Sequence, residues 1–201
     1  MEEKTEKKDR RVLYTKMFLR ESLLELMREK PIDKITPTEL CRTANINRNT
    51  FYSHYYTPRD VLSEIENDFA AQIIESLTGL LATADVGISQ MLKEICNIIY
   101  GQQEFCKILL SDNGDPAFFE KVISMGKPLV LEGWRTESVL LNDEEMEMFF
   151  AFIVNGSIAL IQKWVATDMH QTPAEVAKLI ERAAYGGING MRTATSTDLM
   201  N

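Results

Sequence analysis

Two tetrapeptides of one design, Thr36-Pro37-Thr38-Glu39 and Thr172-Pro173-Ala174-Glu175, constrain this chain more than any other feature. Each places a hydroxyl acceptor at a helix cap, proline at the first helical position and glutamate at the third, a complete capping box. Asn142-Asp143-Glu144-Glu145 is a variant, and Thr57-Pro58-Arg59-Asp60 and Asp115-Pro116 mark two more starts. No two-residue hairpin turn joins alternating apolar segments, so nothing points to a sheet. Apolar spacing between the starts predicts about nine helices, over roughly 10–29, 37–44, 48–54, 58–82, 87–99, 102–110, 116–132, 143–168 and 173–185. In the first, Leu13, Met17 and Leu24 form one apolar row and Leu19, Leu23 and Leu26 a second. The fold class expected is all-α, and 201 residues are enough for one core or two small ones.

Composition excludes several classes of function. Hydrophobic residues make up 45% and charged residues 26%, as in an ordinary globular chain. No secretory leader is expected, because MEEKTEKKDRR is charged and no apolar stretch follows it. The longest mostly apolar run, Phe149 to Ile161, is short for a bilayer and holds Asn155, Gly156 and Ser157, so no membrane partner is expected. Cys41, Cys96 and Cys106 lack metal-ligand spacing, which points to reduced thiols, a cytoplasmic location and no metal site. The two histidines, His54 and His170, are far apart, and Gly126-Lys127 lacks the glycine and hydroxyl of a phosphate-binding loop. No catalytic residue, no cofactor and no enzymatic activity are expected.

Charge is unevenly placed. Residues 1–62 carry 13 Lys/Arg against 10 Asp/Glu, whereas the other 139 carry 9 against 20. A head of net +3 on a body of net −11 suits a protein that sets one end against phosphates. Within that head, helix 2 ends at Asn45-Ile46, and Asn47 is placed to cap helix 3. Asparagine tolerates the left-handed conformation that a tight interhelical turn requires. Two short helices joined this closely describe a helix-turn-helix. In helix 3, Ile46, Phe51 and Tyr55 are spaced to join Ile35, Leu40 and Ala44 in a small core. Arg48, Asn49, Thr50, Tyr52, Ser53 and His54 are left outward, a face with no acid in it. Arginine reads guanine, asparagine reads adenine, and hydroxyls and imidazole donate to phosphate. By itself the segment fits a solvent-facing turn equally well, with Asn47 and Asn49 only capping.

The stretch IDKITPTELCRTANINRNTFYSHYYTPRDVL resembles the DNA-binding head of the TetR family of bacterial regulators. Ile35-Thr36, Ala44, Ile46-Asn47, Thr50-Phe51-Tyr52, His54-Tyr55 and Asp60-Val61-Leu62 carry the likeness without a gap. Asn45 stands where the family usually has glycine, and Tyr56 and Pro58 stand where lysine is frequent. The resemblance implies that helix 3 is a recognition helix, with Arg48, Asn49 and Ser53 facing base edges. It implies phosphate contacts from Thr36, Thr38, Thr50, Tyr52 and His54; Tyr14 and Thr15 are further candidates, and Arg59 stands in for a missing lysine. With Asn47 these form the candidate DNA-binding set. The partners implied are a double-stranded, pseudo-palindromic operator and a second copy of the chain.

The stretch FFAFIVNGSIALIQKWVATDMHQTPAEVAKLIERA resembles, more loosely, the C-terminal helices of the subfamily that includes regulators near dihydroxyacetone kinase genes. Phe152, Gly156, Ala159, Leu160 and Trp164, with Ala177, Ile180 and Ala184, are at compatible spacing for the four-helix dimer interface that the resemblance implies; the alternative is burial of the same face inside one monomer. Phe69, Ile73, Tyr100, Phe105, Phe118, Met125, Trp134, Met146 and Phe150 are candidates to line an effector pocket, with Asn155 as its polar handle. The same residues at helical spacing suit plain core. The organisation expected is a tail over 1–9, a helix-turn-helix head over 10–56, a regulatory and dimerisation body over 57–190 and a tail over 191–201. The function implied is a dimeric repressor released by a small apolar effector. The alternative is an activator or repressor of the same fold controlled by a protein partner.

Overall fold

The structure, a computed structural model, describes residues 2–81, 88–111, 113–115, 117–136 and 142–198. Those residues form nine α-helices and one 3-10 turn, Ile32–Lys34, with no strand among them. The helices are α1 Glu2–Met27, α2 Pro37–Thr43, α3 Arg48–Tyr52, α4 Pro58–Leu81 and α5 Ile88–Gly101. They continue with α6 Gln103–Leu109, α7 Ala117–Thr136, α8 Asp143–Ala166 and α9 Pro173–Asp198. The all-α expectation holds. The expected start at Asp115-Pro116 is in part outside the described residues, since Pro116 is not among them.

The predicted caps form. Thr36 Oγ1 accepts from the Glu39 amide at 3.2 Å. The Thr172 and Asn142 boxes are reciprocal, with Glu175 and Glu145 each accepting from the capping residue's amide. Asp60 accepts from the Tyr56 and Thr57 amides at 2.8 Å and so fixes the start of α4. Three helices run further than expected, α1 beginning at Glu2, α7 reaching Thr136 and α9 reaching Asp198. For α1 the physical reason is local: residues 2–9 contain no glycine or proline, and Glu and Lys are good helix formers.

The described chain divides into two compact units, Met1–Ala71 with Glu104–Asp115, and Gln72–Gln103 with Pro116–Asn201. The first unit is built on Leu19, Leu23 and Met27 of α1, which are fully buried and spaced at one-turn intervals. Burying such side chains stabilises by about 2 kcal/mol each. The expected row Leu13–Met17 instead faces solvent, Leu13 at 67% exposure. Leu40, Ala44, Phe51, Tyr55, Val61 and Leu62 complete this core, with Cys106 and Leu109 from α6. A polar network centred on Glu64 ties α1 to α4 beside it. Glu64 accepts from Lys16 Nζ (2.9 Å), Arg20 (2.8 Å) and the Tyr55 hydroxyl (3.0 Å). Burial works to raise the Glu64 carboxyl, but Lys16, Tyr55 and Arg20 outweigh it and leave its pKa lowered.

In the second unit α9 packs on α5 and on α8, and α7 packs on α8. Met146, Phe149 and Phe150 form a buried cluster against Ile123, Leu131, Ile153 and Val154. Ser89 donates to Glu181 at 2.9 Å and Ser76 to Glu94 at 2.6 Å. Helix α8 is apolar over most of its surface. By length and composition it would suffice to cross a membrane, with a mean hydropathy of 1.5 over its most apolar window. The apolar run expected to be too short is thus embedded in a longer helix that is apolar on two faces.

Candidate nucleic-acid interface

The turn between α2 and α3 forms as its residues dictate. Asn45 adopts φ 52°, the left-handed conformation foreseen for it. The Ile46 amide then reaches back to the Cys41 carbonyl at 2.9 Å. Asn47 caps α3, its side-chain oxygen accepting from the Asn49 amide at 2.8 Å. Phe51 is fully buried and Tyr55 nearly so, which turns the opposite side of this short helix to solvent. Asn47, Arg48, Asn49, Tyr52 and Ser53 are exposed, and Thr50 and His54 are half-buried. Helix α3 ends at Tyr52, so Ser53 and His54 follow it in a turn, held by amide bonds to Asn49 and Phe51.

Polar partners sort these residues. Ser53 Oγ donates to the Thr50 carbonyl at 2.7 Å. Thr36 is exposed and its hydroxyl already accepts the cap bond, while Thr38 is exposed beside it. Next to them Lys30 binds Glu39 at 2.5 Å, and that hydrogen bond holds the Glu39 carboxyl below its usual range. The Arg48 guanidinium lies over the Tyr52 ring, 5.9 Å from its centroid, and side-chain hydrogen bonding to Tyr52 pushes its pKa up. Among the described residues, Arg48 makes no ion pair, whereas Arg20 and Arg28 do. Arg42, on the last turn of α2, and Tyr56, at 84%, are exposed in the same unit and lie outside the candidate set. Arg42's position in a basic last turn was the available signal.

Arg59, expected to contact phosphate, has carboxylate partners within its own unit. Its guanidinium pairs with Asp33 at 2.5 Å and with Asp115, one arm to each carboxylate. Asn113 Nδ2 donates to the Met27 carbonyl at 3.0 Å beside it. Two carboxylates already neutralise this cation and fix its geometry.

The expected pocket residues fall in both units. Phe69 and Phe105 meet edge to face in the first unit, with ring centroids 5.1 Å apart. Phe105 also lines an open groove with Leu24, Ile108, Glu21, Glu25, Glu104 and Arg28. In the second unit Tyr100 stacks on Trp164, Met146 and Phe150 lie in the buried cluster, and Ile73 and Phe118 are buried. Met125 is 39% exposed, and the side chain of Trp134 lies outside those described. Asn155 is exposed and donates to the Ala151 carbonyl of its own helix at 2.7 Å.

The expected interface residues separate by burial. Trp164, Ala177, Ile180 and Ala184 are buried inside the second unit, and Leu160 is half-buried. Phe152, at 72% exposure, Gly156 and Ala159 lie exposed on α8. They are joined by Met148 on α8 and Leu179 on α9, both more than half exposed and neither identified from sequence. Reading α9 one position earlier, at Leu179 rather than Ile180, would have found its outer face.

Comparison with known proteins fits this geometry. Residues 88–186 match a family model described as the transcriptional regulator C-terminal region, TetR_C_8. An uncharacterized HTH-type transcriptional regulator, YxbF of Bacillus subtilis (strain 168), is 36% identical over 77 residues. That match covers 38% of this chain and 20% of YxbF. A TetR transcriptional regulator from Streptococcus agalactiae 2603V has a similar structure, with a TM-score of 0.68 and 25% identity. That similarity covers 90% of this chain and 98% of the other. The dihydroxyacetone kinase operon activator DhaS shares the fold, with a TM-score of 0.59 at 16% identity over 87% of this chain and 96% of its own. Residues 88–186 thus carry the C-terminal region of a TetR-type transcriptional regulator, and the chain shares the TetR fold over 90% of its length.

Proposed function

We propose that the chain is a homodimeric, sequence-specific repressor that binds a pseudo-palindromic operator through α3 and is released by an effector acting on the second unit. The observation that carries the reading is the exposed face of α3, which presents Arg48 without an acidic partner among the described residues, beside Asn49 and Tyr52, with half-buried His54 in the turn that follows. An unneutralised guanidinium next to amide and hydroxyl donors suits base edges and phosphates in one groove. A second copy is supported by Met148, Phe152 and Leu179, large apolar side chains exposed on α8 and α9. Cys96 and Cys106, buried and with pKa values pushed up to about 11 and about 12, suit a reduced cytoplasmic protein.

Selection of bound sites from random duplex DNA tests the reading, followed by a salt titration on the winner. Two half-sites about one helical turn apart, with affinity falling steeply as salt rises, are expected. No enrichment by the folded, dimeric protein would refute operator binding by the chain alone and favour control by a protein partner. On the selected site, Arg48→Ala and Asn49→Ala should each relax preference at single base positions by about 1–3 kcal/mol. His54→Ala should weaken binding to all sequences alike.

A further inference from the structure

We infer that Tyr52 acts on DNA through Arg48: its ring holds the guanidinium in place on the exposed face of α3, which makes Tyr52 a positioning residue for base discrimination. This rests on the proposal that α3 reads the operator. It replaces the phosphate contact that the sequence assigns to Tyr52.

The two residues are four apart on a single helix, so their side chains are neighbours on one face. The Arg48 Cζ atom sits 5.9 Å from the ring centroid, within range of a cation–π contact. The ring is itself held. It meets Phe51 edge to face at 5.3 Å, with an interplanar angle of 74°, and Phe51 is fully buried in the core of the head. The turn below is closed by amide bonds from Ser53 to Asn49 and from His54 and Tyr55 to Phe51. A line of contact therefore runs from the buried core through Phe51 and Tyr52 to the Arg48 guanidinium.

Arginine has one of the most mobile side chains, and ordering it at the moment of binding costs affinity. Three other arginines of the first unit pair with carboxylates: Arg20 with Glu64 and Asp68, Arg28 with Glu104, Arg59 with Asp33 and Asp115. A carboxylate in that role would neutralise the charge that a guanine edge needs. An aromatic face orders the guanidinium and leaves both its charge and its donor fork available. For this position a ring is the better support.

Two measurements on the full-length protein test the inference. In the free protein, NMR should show the Arg48 side-chain protons shifted upfield by the ring, with the shift kept in Tyr52→Phe and lost in Tyr52→Leu. Normal shifts in the wild type would overturn the contact whatever the DNA data say. Affinities are then measured for the selected operator and for duplexes altered at the base pair that Arg48→Ala stops discriminating. Tyr52→Leu should lose discrimination at that base pair by about tenfold, Tyr52→Phe should retain it, and Arg48→Ala/Tyr52→Leu should discriminate no worse than Arg48→Ala. If instead Tyr52→Phe and Tyr52→Leu weaken every duplex equally, and additively with Arg48→Ala, the hydroxyl is a phosphate donor and the inference is wrong. A wild-type chain that enriches no sequence at all refutes operator reading and with it any role of the pair on DNA. The NMR shifts would stand in that case, so the two failures are told apart.

Discussion

Asn45 shows how much can rest on one backbone conformation. Its φ of 52° is what lets α2 stop and α3 start within a few residues. Glycine, usual here in relatives by the sequence resemblance, enters this region freely, and asparagine enters it at small cost. Asn45→Gly should therefore leave stability within about 0.5 kcal/mol of the parent, whereas the β-branched Asn45→Val should cost about 1–2 kcal/mol. Denaturant melts of both variants check this, and equal losses would mean that the Asn45 side chain contributes more than its conformation. Glu64 carries a different dependence. Its folded carboxyl pKa is lowered, so the stability it contributes is present above the unfolded carboxylate range and is lost as pH falls through the folded value. The parent's stability should thus hold from neutral pH down to about pH 5 and decline below it, through the folded value, and Glu64→Gln should remove about 1 kcal/mol at pH 7 while flattening that decline. A parallel decline in both proteins would assign the acid limb to other carboxylates.

Helix boundaries were legible because their causes are local. Thr36, Asn47, Asn142 and Thr172 cap the helices they were expected to cap, each with an acceptor matched to an amide two or three residues on. The acid-free face of α3 was legible too, since the burial of Phe51 and Tyr55 follows from their spacing. Which row of an amphipathic helix turns inward was less so. On α1 two apolar rows compete, and the packing of α2 and α4 selects Leu19, Leu23 and Met27 over Leu13 and Met17. The partners of Arg59 were not legible at all, because Asp33 and Asp115 are brought to it only by the fold. The segment after α6 depends on the same long-range fit. A Cβ on Gly114 would stand 2.1 Å from the Leu109 carbonyl oxygen, a backbone atom that cannot step aside. Gly114→Ala should therefore displace the end of α6, together with Asn113 and Asp115, and cost at least about 2 kcal/mol. A thermal melt within a degree of the parent would show that the turn re-forms at no cost.

At the level of the whole molecule the unusual element is α8. A helix with one apolar face is satisfied by the core beneath it, but α8 buries Met146, Phe149 and Phe150 and still exposes Met148 and Phe152. Gly156 and Ala159 continue the exposed row with small residues that let another helix approach closely. Leu179 adds a large apolar side chain from the neighbouring α9. The same patch met by its symmetry mate would cover both copies at once, which is how a two-fold dimer hides such a surface. On this reading a charge in the patch should separate the subunits without unfolding them. Phe152→Glu should shift the protein from dimer to monomer in sedimentation or light scattering, while its helical circular dichroism stays at the parent level. Operator affinity should fall with it, by a factor that grows as protein concentration is lowered, because a monomer holds one half-site only. Leu13→Glu, exposed on α1, makes the comparison specific: it adds the same charge at another apolar surface position and should leave the dimer intact. A Phe152→Glu protein that remains dimeric would place the interface elsewhere, and a protein that loses its helical signal would show Phe152 to be needed for folding rather than for assembly.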